Sequence, residues 1–279
     1  MAAIVLSLLS SASFGVADFF GGLASRRYAL LTVMVVSQGT GLIGIALLVA
    51  LRGDGPPDAG FAPFALLASV VGTVGLAALY QGLAVGLMSV VAPLAATAAA
   101  IPVVVGAATG ESATRLQYAG IAVALGGIVL VSRSQQAGGA GARLATGAGL
   151  GILAAVFIGL FFVAIDRASE EDPYWATLVL RCGSLTLIGL AVAIRRPSLR
   201  MFGRSALTLP VVGVLDLAGN VLLAVATTKG AVGVVAVLTS LYPVVTVALA
   251  RLVLHERMTA VQAAGVGAAF AGVALITLG

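Results

Sequence analysis

The sequence has little charge, a single histidine and a single cysteine. Only 9% of its 279 residues are charged, whereas a soluble domain carries about 25%, so the chain cannot cover a water-facing surface. The lone His255 and Cys182 exclude a Cys/His metal cluster and an internal disulfide. Neither a His-Glu-x-x-His pair nor a Gly-x-Ser-x-Gly turn occurs, and no nucleophile stands with a base. We therefore predict no enzyme activity, no cofactor and no metal site.

Long apolar runs and small residues make up most of the chain. Hydrophobic residues account for 61% of it, there are 36 glycines, and the mean hydropathy is +1.16. Apolar runs of about 20 residues span a bilayer as helices, and small residues let such helices pack closely. We predict an all-α membrane protein with ten transmembrane helices, near residues 2–24, 30–51, 64–86, 88–109, 116–132, 147–166, 174–194, 206–227, 231–252 and 260–278.

The connections between these runs are short, and only residues 53–63 and 132–143 look flexible. A signal peptide begins with a basic region, and nothing basic precedes the first run, so we expect the first helix to be retained. The arginines stand at the ends of the runs. The basic pI near 10.0 is therefore better explained by orientation in a membrane than by binding of nucleic acid.

The basic residues of the connections divide unequally between the two predicted sides of the membrane, nine against four. The side with more Lys and Arg in its short loops faces the cytoplasm, so we predict both termini outside the cytoplasm. The richer side carries Arg26, Arg27, Arg133, Arg143, Arg195, Arg196, Arg200, Arg204 and Arg257, and the poorer side carries Arg52, Arg115, Arg167 and Lys229.

An internal repeat divides the chain into residues 1–132, a linker over 133–146, and residues 147–279. Gln117, Ala119-Gly120, Ala124, Gly127 and Leu130 recur as Gln262, Ala264-Gly265, Ala269, Gly272 and Leu275, at a shift of 145 residues. Phe19-Phe20 is matched to Phe161-Phe162, and Gly39 to Gly183. Five helices is an odd number, so the second unit enters the membrane upside down. We predict two inverted five-helix repeats, as in secondary transporters, with a substrate site near the midplane.

Two features mark equivalent regions of both repeats. Pro102 and Pro243 lie inside apolar runs, where proline removes a hydrogen bond and kinks a helix. Each is either a bending point of a gate or a static packing kink. Glu111 and Glu256 stand before the fifth helix of each repeat, and inverted symmetry puts them at opposite faces, too far apart to act as an acid/base pair. We expect each to stabilise the positive N-terminal end of the helix that follows.

Ionisable residues inside apolar runs are candidates for function because inserting them into a bilayer is unfavourable. Asp216 is central in its run, with Asn220 one turn later, and Arg181 and Asp18 lie in two other runs. Asp216 either takes part in transport, coupling it to protons, or forms a structural salt bridge with Arg181. Further candidates that could bind a ligand by hydrogen bonds or an aromatic wall are Tyr80, Gln81, Tyr242, Phe161 and Phe162.

The two five-helix halves resemble the EamA-like branch of the drug/metabolite transporter superfamily. The resemblance rests on the aromatic and Gly-rich first helices, the Ala/Pro fourth helices, the Glu corners and the Gln-x-x-Gly fifth helices. It implies a cavity lined mainly by helices 1, 3, 4, 6, 8 and 9, and export of small metabolites across the cell membrane. Two features depart from the family pattern: Phe14-Gly15 replaces its Trp-Gly pair, and family members usually keep both termini in the cytoplasm.

The substrate stays open at this point. Few buried charges argue against a highly charged compound such as a sugar phosphate, and leave an amino acid, another small amphipathic metabolite or a lipophilic drug. A channel or a lipid-handling protein is the alternative. The expected partners are a small molecule, the lipid bilayer and, as a coupling ion, protons; nucleic acid is not expected, and the oligomeric state is open.

Overall fold

The computed structural model describes residues 2–108, 114–134, 141–199, 204–229, 235 and 238–278, all of them helix, turn or loop. Eleven helices are labelled here within these ranges. They are α1 Ala2–Ser25, α2 Leu30–Arg52, α3 Ala62–Val85, α4 Met88–Ala96, α5 Ala100–Ala108, α6 Arg115–Ser134, α7 Gly141–Ser169, α8 Pro173–Arg195, α9 Thr208–Thr227, α10 Tyr242–Leu254 and α11 Ala260–Leu278.

Six of these helices are long and apolar enough to cross a membrane, namely α1, α2, α3, α7, α8 and α9. Shorter apolar helices cover 88–102, 242–254 and 260–275. Large aliphatic side chains point outward from the long helices; Ile43 is 73% exposed and Ile194 is 72% exposed. Such an apolar exterior suits contact with lipid and not with water.

The predicted fourth span is broken into two helices. A 3-10 turn over Thr97–Ala99 separates α4 from α5. Pro102 lacks the N–H that would bond to the carbonyl of Ala98, and its ring crowds that carbonyl, which accounts for a break one turn before the proline. Pro93 lies inside α4 and adds a second interruption, which the sequence analysis did not use.

The ninth predicted span differs from expectation at its proline. Pro243 lies in the first turn of α10 and not in the interior of a longer continuous helix. A proline in the first turn needs no hydrogen bond from its nitrogen and has a φ suited to the helix. Pro243 therefore begins this helix, and its role as a hinge stays a prediction.

The predicted linker over 133–146 is shorter than expected. Helix α6 continues to Ser134 and α7 begins at Gly141, so both ends of the proposed linker are helical; 135–140 lie outside the described residues. In the other flexible-looking segment, 53–63, a loop leads into a 3-10 turn over Ala59–Phe61, and the last two residues belong to α3.

The repeated glutamine of the fifth helices has a structural role in both halves. Thr114 N–H donates to Gln117 Oε1 at 2.8 Å, and Gln117 N–H donates to Thr114 Oγ1 at 3.2 Å. Thr259 and Gln262 make the same two bonds at 2.9 and 3.2 Å. Each pair is a capping box, which satisfies two backbone N–H groups at the start of a helix. The Gln-x-x-Gly motif thus begins α6 and α11 in the same way.

Helices α6 and α11 cross at glycines that the repeat relates. A Cβ added to Gly127 would lie 2.6 Å from the carbonyl oxygen of Gly265, and one added to Gly272 would lie 2.6 Å from that of Gly120. The shift of 145 residues exchanges these two contacts. The partner number falls as the residue number rises, so the two helices run antiparallel.

The first helix of each repeat packs on the fourth span of the other repeat. A shift of 144 residues exchanges these two contacts as well. A Cβ at Gly15 would lie 2.6 Å from Val245 Cβ, while Gly159 packs equally closely on Ile101. Both glycines therefore allow a close approach to the facing helix.

This register corrects one sequence match. A shift of 144 aligns Phe161-Phe162 with Ala17-Asp18, and not with Phe19-Phe20. The match made from the sequence is displaced from this register by two residues.

Glu256 has a different partner from the one expected. Its carboxylate accepts hydrogen bonds from the backbone N–H groups of Met88 at 3.2 Å and Ser89 at 2.9 Å, and from Ser89 Oγ at 2.9 Å. Arg26 Nη2 lies 3.4 Å from it. Glu256 therefore stabilises the N-terminus of α4 in the other repeat, and not the start of its own α11. Glu111 lies outside the described residues.

At the opposite end, Arg52 joins α2 to α8. Its Nη2 lies 2.8 Å from Asp54 Oδ2 and 3.0 Å from Asp172 Oδ2. Asp172 caps α8 by accepting from the backbone N–H groups of Tyr174 and Trp175. Burial raises the pKa of Asp172, but the hydrogen bonds from Arg52 and from the two backbone N–H groups outweigh it and hold that pKa below its ordinary value.

Candidate functional site

A cavity of about 90 Å³ lies between the two repeats. Its walls come from α1, α2 and α3 of the first repeat and from α7, α8, α9 and α10 of the second. Most of the lining is apolar, with a few polar groups, as is usual for sites of small molecules. The lining residues are Phe14, Asp18, Gln38, Ala68, Gly72, Thr73, Leu76, Leu79, Ile158, Phe161, Phe162, Leu180, Arg181, Ser184, Asp216, Asn220 and Tyr242.

Three polar side chains form a buried cluster on one wall. Arg181 Nη2 lies 2.7 Å from Asp216 Oδ2, and Arg181 Nη1 donates to Gln38 Oε1. Gln38 Nε2 in turn donates to Asp216 Oδ2 at 3.3 Å. Arg181 is only 1% exposed, and a charge so deeply buried requires a partner. The salt bridge between Arg181 and Asp216, one of the two alternatives that the sequence left open, is present.

Local backbone features support this cluster. Gly41 leaves room for the guanidinium, since a Cβ there would lie 3.2 Å from Arg181 Cζ. Asn220 lies one turn after Asp216, as expected, and its Nδ2 donates to the Asp216 carbonyl at 2.8 Å. Asn220 is thus held by its own helix and shares the cavity wall with Asp216.

Asp18 is the other acidic residue of the cavity, and it differs from Asp216 in its surroundings. It is 6% exposed. Within the part of the chain that the structure describes, it makes no hydrogen bond or ion pair. The negative charge of Asp216 repels a negative charge on the Asp18 carboxyl group. Among the described residues, the Asp216 carboxylate of the cavity therefore has a cationic partner and the Asp18 carboxyl group has none.

Aromatic rings form another part of the cavity wall. Phe161 and Phe162 lie side by side with ring centroids 5.9 Å apart. Phe14 meets Tyr242 edge to face at 6.5 Å, and the buried hydroxyl group of Tyr242 has no hydrogen-bond partner among the described residues. An aromatic wall with an unused hydroxyl group suits a ligand that is apolar with one polar end.

The cavity brings together seven of the nine candidate residues named from the sequence, which are Asp18, Phe161, Phe162, Arg181, Asp216, Asn220 and Tyr242. Tyr80 and Gln81 do not line it. Tyr80 is fully buried with its ring against Gly21. The proline pair, Pro102 and Pro243, also lies outside the lining.

The lining corrects the expected set of helices. No described residue of the fourth span lines the cavity, although the resemblance implied that span. The second and seventh spans contribute instead, through Gln38 on α2 and through Leu180, Arg181 and Ser184 on α8. Sequence reasoning missed Gln38. The signal was there, because an amide in an apolar helix usually bonds to a neighbouring helix.

Comparison with known proteins agrees with this architecture. The model of the EamA-like transporter family matches twice, over residues 1–133 and 145–278. An uncharacterized protein of Methanocaldococcus jannaschii is 31% identical over 132 residues, which are 46% of this chain and 94% of that protein. One solved crystal structure superposes with a TM-score of 0.65 at 16% identity, covering 96% of this chain and 97% of the other, which is a likeness of fold.

The two family matches define the class. The chain belongs to the EamA-like transporter family, within the drug/metabolite transporter superfamily. It is a multi-pass membrane protein of two repeats. The archaeal relative is about as long as one repeat.

Proposed function

We propose that the protein is a secondary active transporter of the cell membrane that moves a small amphipathic molecule by alternating access between two inverted five-helix repeats. The main supporting observation is the pair of contacts between α6 and α11, Gly127 with Gly265 and Gly272 with Gly120, which the repeat shift converts into each other. Two antiparallel helices whose contacts exchange are related by a two-fold axis perpendicular to them. If the helices cross the bilayer, that axis lies in the membrane plane, as in inverted-repeat transporters.

The packing of the other helices supports the same symmetry. Three helix pairings recur in the two repeats. The contact of α1 with α9 corresponds to that of α7 with α3, and the contact of α2 with α9 corresponds to that of α8 with α3. The contact of α10 with α1 corresponds to that of α4 with α7. In each case the repeat shift turns one pairing into the other. Two gates of similar construction then face opposite sides of the membrane.

The cavity supports a transport site between the repeats. Both repeats line it, and its polar groups are few and fixed in position. Its volume of about 90 Å³ is below the roughly 150 Å³ of an engineered protein cavity that holds benzene. Movement of the repeats would enlarge the cavity for a substrate.

Two gates require contacts that can break at each end. Glu256 joins the second repeat to Arg26 and to the start of α4 in the first. Arg52 and Asp172 join the repeats at the opposite end. We assign both contacts to the gates, one at each face of the membrane.

Counterflow in proteoliposomes tests this function. A growth-protection screen over amino acids and small amines first identifies a compound whose toxicity the protein relieves. The radiolabelled compound should then enter vesicles preloaded with the unlabelled one, saturably and against its own gradient. Passive, unsaturable flux without counterflow would indicate a channel and contradict the proposal.

A further inference from the structure

A second cavity, of about 130 Å³, lies beside the 3-10 turn that divides the fourth span. We call it the helix-break cavity; its walls come from that turn, α5, α6 and α7, and it shares no lining residue with the cavity between the repeats. Eight of its nine lining residues are Ala, Ile, Leu or Val. The ninth, Thr97, donates its hydroxyl hydrogen to the Leu94 carbonyl at 2.7 Å. The helix-break cavity therefore offers a ligand almost no polar group.

Close contacts on either side hold the helices around the helix-break cavity in place. On one side, Gly159 of α7 packs directly against Ile101 of α5. On the other side, α6 is packed on α11 where Gly127 meets the carbonyl group of Gly265, and α11 in turn packs on the 3-10 turn through Val273. The helices cannot close the gap unless these contacts shift, so the gap belongs to the packed structure.

The helix-break cavity continues inward from the lipid-facing exterior of the protein. Leu125 of α6 and Val156 of α7 belong to its lining and are 56% and 41% exposed, whereas Ala155 beside them is 5% exposed. A water molecule in this place would lack the polar partners that buried water requires. Hydrocarbon, in contrast, gains dispersion contacts with the walls. The surroundings therefore favour an apolar ligand that comes from the bilayer.

We propose that the helix-break cavity binds the end of a lipid acyl chain, which packs against the 3-10 turn between α4 and α5. The bilayer supplies such chains at the opening, and the continuity of the cavity with the lipid-facing surface favours them over a water-soluble ligand. A volume of about 130 Å³ is close to the roughly 150 Å³ that holds benzene, so the cavity admits a chain end and excludes a headgroup. This lipid site does not depend on the proposed transport function, and either can fail without the other.

The two repeats differ at this place. At the shift of 145 residues, Phe270 in the second repeat has the position of Leu125 in the first. The side chain of Phe270 packs against the buried cluster that contains Val90, Leu94 and Val266, whereas Leu125 is exposed. The protein therefore packs this position with its own side chains in one repeat and leaves it to lipid in the other.

Photolabelling from the end of an acyl chain tests the proposal. The purified protein is placed in nanodiscs whose phosphatidylcholine carries a diazirine near the end of one chain, with one copy per disc so that no second copy covers the opening. After irradiation, mass spectrometry locates the adducts. Ala154 and Ala155 are adjacent and both buried, at 0% and 5% exposure, but only Ala155 lines the cavity. We expect adducts on Ala155 and not on Ala154. Adducts confined to exposed residues such as Leu153 would mean that no chain enters, and would overturn the proposal.

Filling the helix-break cavity with a larger side chain assigns the adducts to it. Ile152→Phe adds bulk to the lining, so the labelling of Ala124, which lines the cavity from α6 and is 2% exposed, should be lost. Leu153→Phe places the same side chain at the next residue, which is 43% exposed and outside the lining, and should leave that labelling unchanged. Ala155→Leu fills the cavity from another position and covers the case in which Ile152→Phe folds poorly. Labelling of Ala124 that survives both filling variants would refute the proposal.

A change of headgroup separates a chain site from a headgroup site. The same adducts should form when phosphatidylglycerol carries the diazirine chain, since only the chain enters the helix-break cavity. Adducts on Ala155 that required one particular headgroup would mean that a polar contact outside the cavity governs binding, and would overturn the proposal.

Discussion

The buried pair of Arg181 and Asp216 allows a quantitative prediction. Asp216→Asn leaves the guanidinium of Arg181, 1% exposed, without its counter-charge. Removing one partner of a buried pair lowers the free energy of unfolding by about 3–5 kcal/mol. The lower figure applies here, because the Asn carbonyl oxygen can still accept from Arg181. In a chain of this length about 1 kcal/mol shifts the melting temperature by about 2–4 °C, so we expect a loss of about 6–12 °C.

A double-mutant cycle on the purified protein measures this pairing. Thermal unfolding is followed for Asp216→Asn, Arg181→Gln and the double variant. Because the double variant removes both charges of the pair, it should be more stable than Arg181→Gln alone, with a coupling of about 2–3 kcal/mol. Asp58→Asn, at an exposed position, is the control and should change stability by less than about 0.5 kcal/mol. Additive single effects would refute a structural pair.

The same variants decide whether Asp216 also couples transport to protons. If the pair opens during the cycle, Asp216→Asn should still exchange substrate while its uphill transport no longer responds to a pH gradient. Unchanged pH-driven transport in a folded Asp216→Asn protein would exclude Asp216 as the coupling residue.

Three further predictions concern the gates and the topology. Glu256→Gln weakens the cap on α4 and the contact with Arg26, so the gate at the Glu256 end of the protein should open faster. The measurement is the rate at which a cysteine placed in the cavity is labelled from the face of the membrane on which Glu256 lies. An unchanged labelling rate would mean that the contact is not part of a gate. Pro102→Ala and Pro243→Ala should slow transport more than they reduce expression or binding, whereas equal losses would indicate packing roles. The nine-to-four distribution of basic residues predicts a C-terminal phosphatase fusion that is active and a C-terminal green fluorescent fusion that is dark, and the reverse would show a cytoplasmic C-terminus.

Run length and local motifs were enough to predict most helices. The six long helices begin and end within a few residues of the predicted spans, apart from the earlier start of α7 at Gly141. The sequence also raised the salt bridge between Arg181 and Asp216 as one of two alternatives, because depth in the membrane follows from position along a helix. These features depend on periodicity and on local sequence.

Contacts between distant segments could not be read in the same way. The carboxylate of Glu256 finds its partners at Met88 and Ser89, which only the packing of the repeats brings near. Gln38 is one amide in an apolar run, and its importance follows from facing Arg181. That Asp18 has no partner among the described residues is likewise a property of the assembled cavity, since no sequence motif indicates whether a carboxyl group will have one.

Accessibility of the cavity from both faces of the membrane tests alternating access most directly. The single cysteine, Cys182, is first changed to Ser. In that background Ser184, which lines the cavity, is changed to Cys. The control is Ser7→Cys, at a buried position away from the lining. Impermeant maleimides should modify residue 184 from either face in oriented vesicles, and locking one end by a cross-link should abolish labelling from that end only. Labelling from a single face in every condition, or from both faces despite the cross-link, would contradict two inverted gates around one site.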